Sequence, residues 1–292
     1  MSQISLTASM RSNLLSLQNT SKLMSQTQER LATGKKVNSA IDNPSSYYTA
    51  QSLNNRANDL SGLLDSMGQA ISTIKAADEG ITAITSFVEQ AKAVATSAAD
   101  TTDADTRAKY ADQFNAIRSQ IDQLANDAGY KGINLLKGDD LKVTFNEGRT
   151  SSLTIEGVDA TVGGDGGTTG LEIAKAINAE NPGDNKLNWR HAEAASDEEN
   201  GGIAKAIKAA SDAIETLRGY ASAFGNNYSI VQTREEFTTN LINVLEEGAD
   251  KLTLADMNEE SANMLALQTR QQLAINSLSL ASQAAQSVLK LF

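Results

Sequence analysis

The sequence predicts a mainly α fold, in which long antiparallel helices form a terminal coiled coil and a helical rod, with a small β-hairpin insertion. Three observations carry this. Residues 3–33 contain no Gly or Pro, and Met10, Leu17, Met24 and Leu31 recur every seven residues. That spacing keeps one stripe of a helix facing a partner helix. The last 44 residues, after Gly248, are equally free of both breakers, and Leu267, Ala274, Ala281 and Val288 repeat by seven. Between these ends, around residues 141–155, the apolar period switches from helical to two.

In the first segment Leu14 follows Met10 by one helical turn, and Gly34 ends the run. "KKVNSAIDNPSS" reads as a loop, because Pro44 forbids a helix through Asn43. Residues 47–99 return to helix, with Ile71, Ile74, Ile81, Ile84 and Val88 on one face. "DTTDADT" is a turn or cap before a third helix at about 104–128, which carries Tyr110, Phe114, Ile117, Ile121 and Leu124. "GYKGINLLKG" breaks the pattern. Leu141, Val143 and Phe145 then alternate, "NEG" turns the chain, and Leu153 and Ile155 alternate again, which is a hairpin signature.

Residues 157–170 are Gly-rich. Thr169 and Glu172 have capping-box spacing and predict a short helix ending before Pro182, followed by a polar, irregular loop over 181–201. A helix at about 202–223 carries Ile203, Ile207, Ala210, Ile214 and Leu217. Gly225 is expected to separate it from another at about 228–249 with Phe237, Leu241, Val244 and Leu245. The apolar faces within 71–124 and 203–245 read as ordinary intramolecular core.

The final segment does not. As one helix it would be about 60 Å long. Leu278, Ala285 and Phe292 lie four residues after members of the seven-residue series, but Leu273, Ile275, Leu280 and Leu289 fall on other faces. A helix apolar nearly all round is buried on several sides, and one N-terminal helix cannot cover it. The expected polymerisation seam is Met10, Leu14, Leu17, Met24 and Leu31 with Leu267, Ala274, Leu278, Ala281, Ala285, Val288, Leu289, Leu291 and Phe292. The pattern divides the chain into coiled-coil ends over 1–43 and 251–292, helical segments over 44–140 and 205–250, and a hairpin with a solvent-facing insertion over 141–204.

Charge separates the ends from the middle. Residues 1–40 carry +4 and residues 251–292 are neutral, so residues 41–250 hold −15 of the net −11. An acidic middle suits water and argues against a nucleic-acid or anionic-membrane partner. There is no Cys, so no disulfide or thiolate metal site is possible. Residues 1–18 lack the features of a secretory signal, and no run approaches the roughly 18 apolar residues of a membrane span.

Nothing in the sequence builds a catalytic centre. The one histidine, His191, sits in the polar stretch "NWRHAEAASDEEN" and reads as a solvated loop residue. "GGDGGTTG" lacks the Lys-Ser/Thr of a phosphate loop and reads as a turn. "DTTDADT" lacks the Gly and Glu of a calcium loop and reads as helix capping. Trp189 and Tyr130 stand without a basic stripe for base stacking. No enzyme activity, cofactor or metal is expected.

Several motifs carry a family resemblance. "LQNTSKLMSQ", "ERLATGKKVNSAIDNP" (29–44), "MGQAISTIKAADEGI" (67–81) and "GYKGINLL" (129–136) resemble the N-terminal part of bacterial flagellins. "DMNEESANMLALQTRQQL" (256–273) and the closing "SVLKLF" resemble flagellin C-termini. The likeness covers about residues 1–140 and 205–292. It implies a structural subunit that self-assembles through its terminal helices into the extracellular filament of the bacterial flagellum, for swimming motility. It also implies an inner tube made by the terminal segments, a helical outer rod and a solvent-facing middle. The implied partners are other copies of the chain, the flagellar type III export apparatus, an export chaperone, the filament cap and hook-junction proteins. In many flagellins two arginines in one rod helix meet an animal innate receptor; here Gln90 and Lys92 occupy those positions, and Gln90 cannot supply a guanidinium. A hook–filament junction protein and an intracellular coiled-coil scaffold are the alternative readings.

Overall fold

The computed structural model describes residues 8–163, 169–180, 187–195 and 201–289. Its elements, in chain order, are helices α1 (Ala8–Thr33), α2 (Pro44–Asp100) and α3 (Ala104–Asp127), strands β1 (Leu141–Thr144) and β2 (Ser152–Ile155), and helices α4 (Gly202–Thr253) and α5 (Met257–Leu289). They form two compact units. One comprises residues 59–242; the other comprises residues 1–58 and 243–292. The mainly helical class and the small hairpin agree with the sequence reading.

The unit of residues 59–242 has a core of small and branched side chains. Met67, Ile74, Ile81, Ile84 and Val88 of α2 are buried, with Ala77, Ala91, Ala95 and Ala98 between them. Phe114 and Ile121 of α3 and Ala210, Ala213 and Leu217 of α4 complete the interior. Alanine at so many core positions lets helix axes approach closely. Gly80 lets α2 meet the segment that follows α3: a Cβ there would lie 2.7 Å from Leu136 Cδ1 and 2.9 Å from the Ala128 Cβ.

The hairpin is antiparallel, with Leu141 opposite Ile155 and Val143 opposite Leu153. Leu141, Val143 and Ile155 turn into the core. Asn146 organises the turn. Its carbonyl oxygens accept from the backbone N–H groups of Ser151 (side chain, 3.0 Å) and Arg149 (main chain, 3.0 Å).

Helix starts follow capping chemistry. Asn43 Oδ1 accepts from the Ser46 N–H at 3.1 Å, with Pro44 at the first helical position, where its missing N–H costs nothing. Asp103 caps α3 by accepting from the Thr106 N–H at 2.8 Å.

Four sequence expectations are corrected. The helix predicted from Thr169 does not form. Gly170 and Glu172 have φ of +62° and +53°, in the left-handed region, and the chain continues without regular helix or strand, with Leu171, Ile173 and Ala176 buried. Side chains of α3 satisfy that backbone instead. Asn115 brackets Ala176, accepting from its N–H (2.8 Å) and donating to its carbonyl (2.9 Å), while Arg118 Nε donates to the Ile173 carbonyl (2.7 Å). Asp122 accepts from the Val162 N–H at 2.9 Å. The second correction concerns the loop over 181–201, of which residues 181–186 and 196–200 lie outside the described residues. The part that is described is not simply solvated. Trp189 is 1% exposed and its ring lies 5.1 Å from that of Phe114. Arg107 donates to the His191 carbonyl at 2.8 Å, and His191 is half-buried.

Third, α4 runs unbroken through Gly225, with open space around that glycine. An isolated helical Gly costs only about 1 kcal/mol, and burial of Phe224 and Val231 nearby offsets it. Finally, Phe237 and Val244 are not core: they are 57% and 62% exposed.

Candidate functional site

The unit of residues 1–58 and 243–292 holds the two chain ends. α1 packs on α5, the end of α1 lying against the start of α5 so that the pair is antiparallel. The junction is tied by backbone bonds. Gly34, in the left-handed conformation (φ +71°), closes α1 with its N–H on the Arg30 carbonyl (2.8 Å). Lys36 and Val37 both donate to the Thr253 carbonyl, at 2.7 and 3.3 Å, and Ala255 donates to the Gly34 carbonyl at 3.0 Å. These bonds interrupt the expected 44-residue helix at residues 254–256. Asp256 then caps α5, accepting from Asn258 and Glu259 at 2.9 and 3.2 Å.

Arg30 Nη1 donates to Glu260 Oε1 at 2.7 Å, with the Glu260 side chain only 8% exposed. This pair fixes the register. Stepping by heptads away from it sets Met24 about level with Leu267, Leu17 with Ala274 and Met10 with Ala281. Met10 is buried, and the other five are half-buried. The alternate positions on α1 are polar, Asn13, Thr20 and Thr27; on α5 they are Met264, Gln271 and Leu278, all half-buried, while Glu260 continues the series of Leu267 and Ala274. Thr20 and Thr27 are buried, and Thr20 satisfies its hydroxyl on the Ser16 carbonyl at 2.9 Å.

The apolar residues lie outside. Leu265, Leu273 and Leu280 of α5 are 70%, 64% and 68% exposed, and Ile275 is exposed beside them. Leu14, expected at the seam, is 40% exposed, as are Leu15 and Leu23 in large part. The pair thus has an apolar seam interrupted by polar residues, and carries further large apolar side chains uncovered on its outer faces. Leu31 and Leu278 are half-buried. The side chains of Ala285, Val288 and Leu289, and all of Leu291 and Phe292, lie outside the described residues. Gln90 is exposed and Lys92 half-buried on α2. Two residues apart, they point about 200° away from each other round the helix.

Sequence reasoning missed the polar half of the seam, because it searched for apolar repeats. It also missed the 254–256 break, although Asp256 and Glu259 have capping-box spacing and signal it. Among the described residues there is no cluster of His, Asp or Glu fit to hold a metal ion, and no helix is long and apolar enough to cross a membrane.

Residues 4–140 match the bacterial flagellin N-terminal helical region, and residues 207–292 match the bacterial flagellin C-terminal helical region. The chain is 30% identical to flagellin FljO of Caulobacter vibrioides over 287 residues, which cover 96% of this chain and 95% of that one. The chain belongs to the bacterial flagellin family. A flagellin of Brucella melitensis is 29% identical over 289 residues, covering 96% of this chain and 95% of that one. A solved Bacillus cereus flagellin is 13% identical and overlaps with a TM-score of 0.45, covering 59% of this chain and 88% of that one. Membership makes the chain a structural subunit of the flagellar filament, in a family of self-assembling structural proteins rather than enzymes.

The turn between α1 and α2 is organised around one carboxylate. The N–H groups of Ser39 and Asn38, each 3.0 Å from Asp42 Oδ2, hold Asp42 below its ordinary pKa of 3.8. A lowered native pKa means the carboxylate's contribution is complete above the ordinary value and is lost as pH falls through the native one. Titration of the Asp42 carboxyl by NMR is expected to give a pKa below 3.8, with the Asn38 and Ser39 amide signals moving in the same step. A value at or above 3.8 would refute this account of the loop.

Proposed function

We propose that this flagellin polymerises by covering the outer apolar faces of its α1·α5 pair with the same pairs of other copies. On this reading segments 1–43 and 251–292 form the inner tube of an extracellular filament, and the acidic middle faces solvent. The observation that supports it is the uncovered outer face of the pair: Leu265, Leu273 and Leu280 face water while the smaller or polar Thr20, Thr27 and Glu260 are buried. Exposed apolar surface on this scale marks an interaction site. A neighbouring copy meets that face with a different face of its own helix pair, and such a head-to-tail contact, repeated, generates a helical polymer.

Type III export, an export chaperone, the filament cap and hook-junction proteins complete the proposed partners. Absence of Cys and only two Pro suit a chain that travels unfolded and refolds at a distance, since disulfide formation and prolyl isomerisation are slow. No catalysis is proposed for His191 or any other residue.

Deletion of residues 281–292 tests the reading. Seeded polymerisation is expected to be abolished, with most helical circular dichroism retained, because the core of residues 59–242 is untouched. Filaments of normal length from the truncated chain would overturn it.

A further inference from the structure

The hairpin borders an open groove of about 290 Å³ against α2 and the turn that follows α3. Three cations line it: Lys131 from that turn, Lys142 from β1 and Arg149 from the hairpin turn. All three are exposed. Among the described residues no Asp or Glu lines the groove, although the middle of the chain is strongly acidic. Three like charges grouped without a counter-ion repel one another, so the grouping does nothing for the fold of the single chain.

Backbone conformation singles out two of them. Lys131 and Gly132 are the central pair of the Tyr130–Ile133 turn, at φ +51° and +84°, where Asn-Gly is the favoured pair. Arg149 follows Gly148 and itself has φ +54°, a region that glycine occupies at no steric cost. Turn stability alone would put Asn at 131 and Gly at 149. β1 supplies further donors. Phe145 donates its N–H to the Ser151 carbonyl across the hairpin at 2.9 Å, and donor direction alternates along an antiparallel strand. The N–H groups of Lys142 and Thr144 therefore point to the edge that β2 leaves open, which borders the groove. A lysine on an open edge also deters strand addition, but that role accounts for Lys142 alone.

The cations are spread along the groove rather than gathered at a point. Arg149 lies in the turn beyond the Thr144–Ser152 pair, roughly 10 Å from Lys142 along the hairpin. A single ion reaches only part of such a set, whereas a chain with repeated negative groups reaches all of it. Tyr130 is the one aromatic side chain there, so successive bases find no stacking platform, which favours a sugar chain over a nucleic acid. We propose that this groove binds an acidic polysaccharide, a linear polyanion bearing sulfate or phosphate esters, through Lys131, Lys142 and Arg149. The proposal does not depend on assembly.

Binding of a fluorescently labelled dextran sulfate to the unpolymerised full-length chain, read by anisotropy, tests it. Lys131→Asn with Arg149→Gly is expected to raise Kd tenfold or more. The thermal midpoint is expected to stay the same or rise, because both substitutions suit the left-handed turns. The slope of log Kd against log salt is expected to fall by about two, roughly one per cation removed. Lys205→Gln with Lys208→Gln, an equal loss of charge from exposed positions on α4, is expected to leave Kd within twofold. If the turn variant loses helicity, Lys142→Gln replaces it, with a rise of threefold or more expected. A turn variant within twofold of the parent, an equal loss in the α4 variant, or no binding by the parent chain overturns the proposal. Displacement of the probe by inorganic phosphate at the same total oxyanion concentration, or tighter binding of a single-stranded oligonucleotide, overturns the assignment of a polysaccharide. None of these outcomes bears on the filament reading.

Discussion

Replacing Leu265, Leu273 and Leu280 together with serine is expected to raise the critical concentration for polymerisation by about a hundredfold or more, with the single chain still folded. Fully burying a leucine contributes roughly 1.5–3 kcal/mol. Even if a neighbouring copy covers each only in part, three such residues lose about 3 kcal/mol per contact, and about 1.4 kcal/mol is a factor of ten. None of the three reaches the intramolecular seam, so the α1·α5 pair keeps Met10, Met24, Leu267 and the Arg30–Glu260 bond. The serines also remove exposed apolar area from the monomer, so solubility is expected to improve. Sedimentation after seeding measures the first effect and circular dichroism checks the second. Polymerisation at the parent's critical concentration would show that these leucines are not what the filament covers.

The second large effect belongs to the other unit. Trp189→Ala is expected to destabilise residues 59–242 by about 3–5 kcal/mol, the usual cost of truncating a buried large aromatic. For a unit of this size that corresponds to a fall in thermal midpoint of about 6–20 °C. The reason is specific. Trp189 is nearly inaccessible, tilted against Phe114, and held by a backbone bond from its N–H to the Ile177 carbonyl at 2.8 Å. Trp189 is also the only tryptophan, so its fluorescence in the parent chain reports the same unfolding independently of calorimetry. A midpoint within 2 °C of the parent's would contradict the packing described.

Much of the fold was legible because its signals are local. Gly34, Asn43 with Pro44, and Asp103 mark helix ends through their own backbone and side-chain chemistry, and the alternation of Leu141, Val143, Leu153 and Ile155 marks the strands. The insertion was not legible, because its backbone is satisfied by residues far away in sequence. Asn115, Arg118 and Asp122 do for residues 162–176 what a neighbouring strand or helix would otherwise do. No local pattern announces that. The capping-box spacing of Thr169 and Glu172 was misleading for the same reason.

The candidate site was half legible. Seven-residue repeats placed Leu17, Met24, Leu31, Leu267 and Ala274 on the facing sides of α1 and α5. Hydrophobic periodicity alone then chose Leu14 for the alternate row, where the structure sets Asn13, Thr20 and Thr27. Polar seam positions are known to fix register at a cost in pair stability. In a subunit whose remaining burial comes from neighbours, that choice leaves the leucines for the outside. Phe237 was misread on the same logic: an apolar residue on a long helix was assigned inward, whereas it is 57% exposed.

The central claim is that the apolar outer faces of the terminal helix pair are covered by other copies. Electron cryomicroscopy of the seeded filament, at a resolution that shows side chains, tests it most directly. The account predicts Leu265, Leu273 and Leu280 packed against residues of neighbouring subunits, with Arg30 and Glu260 still paired within one chain. A filament in which those three leucines face water, or in which no contact between copies involves α1 or α5, would contradict it.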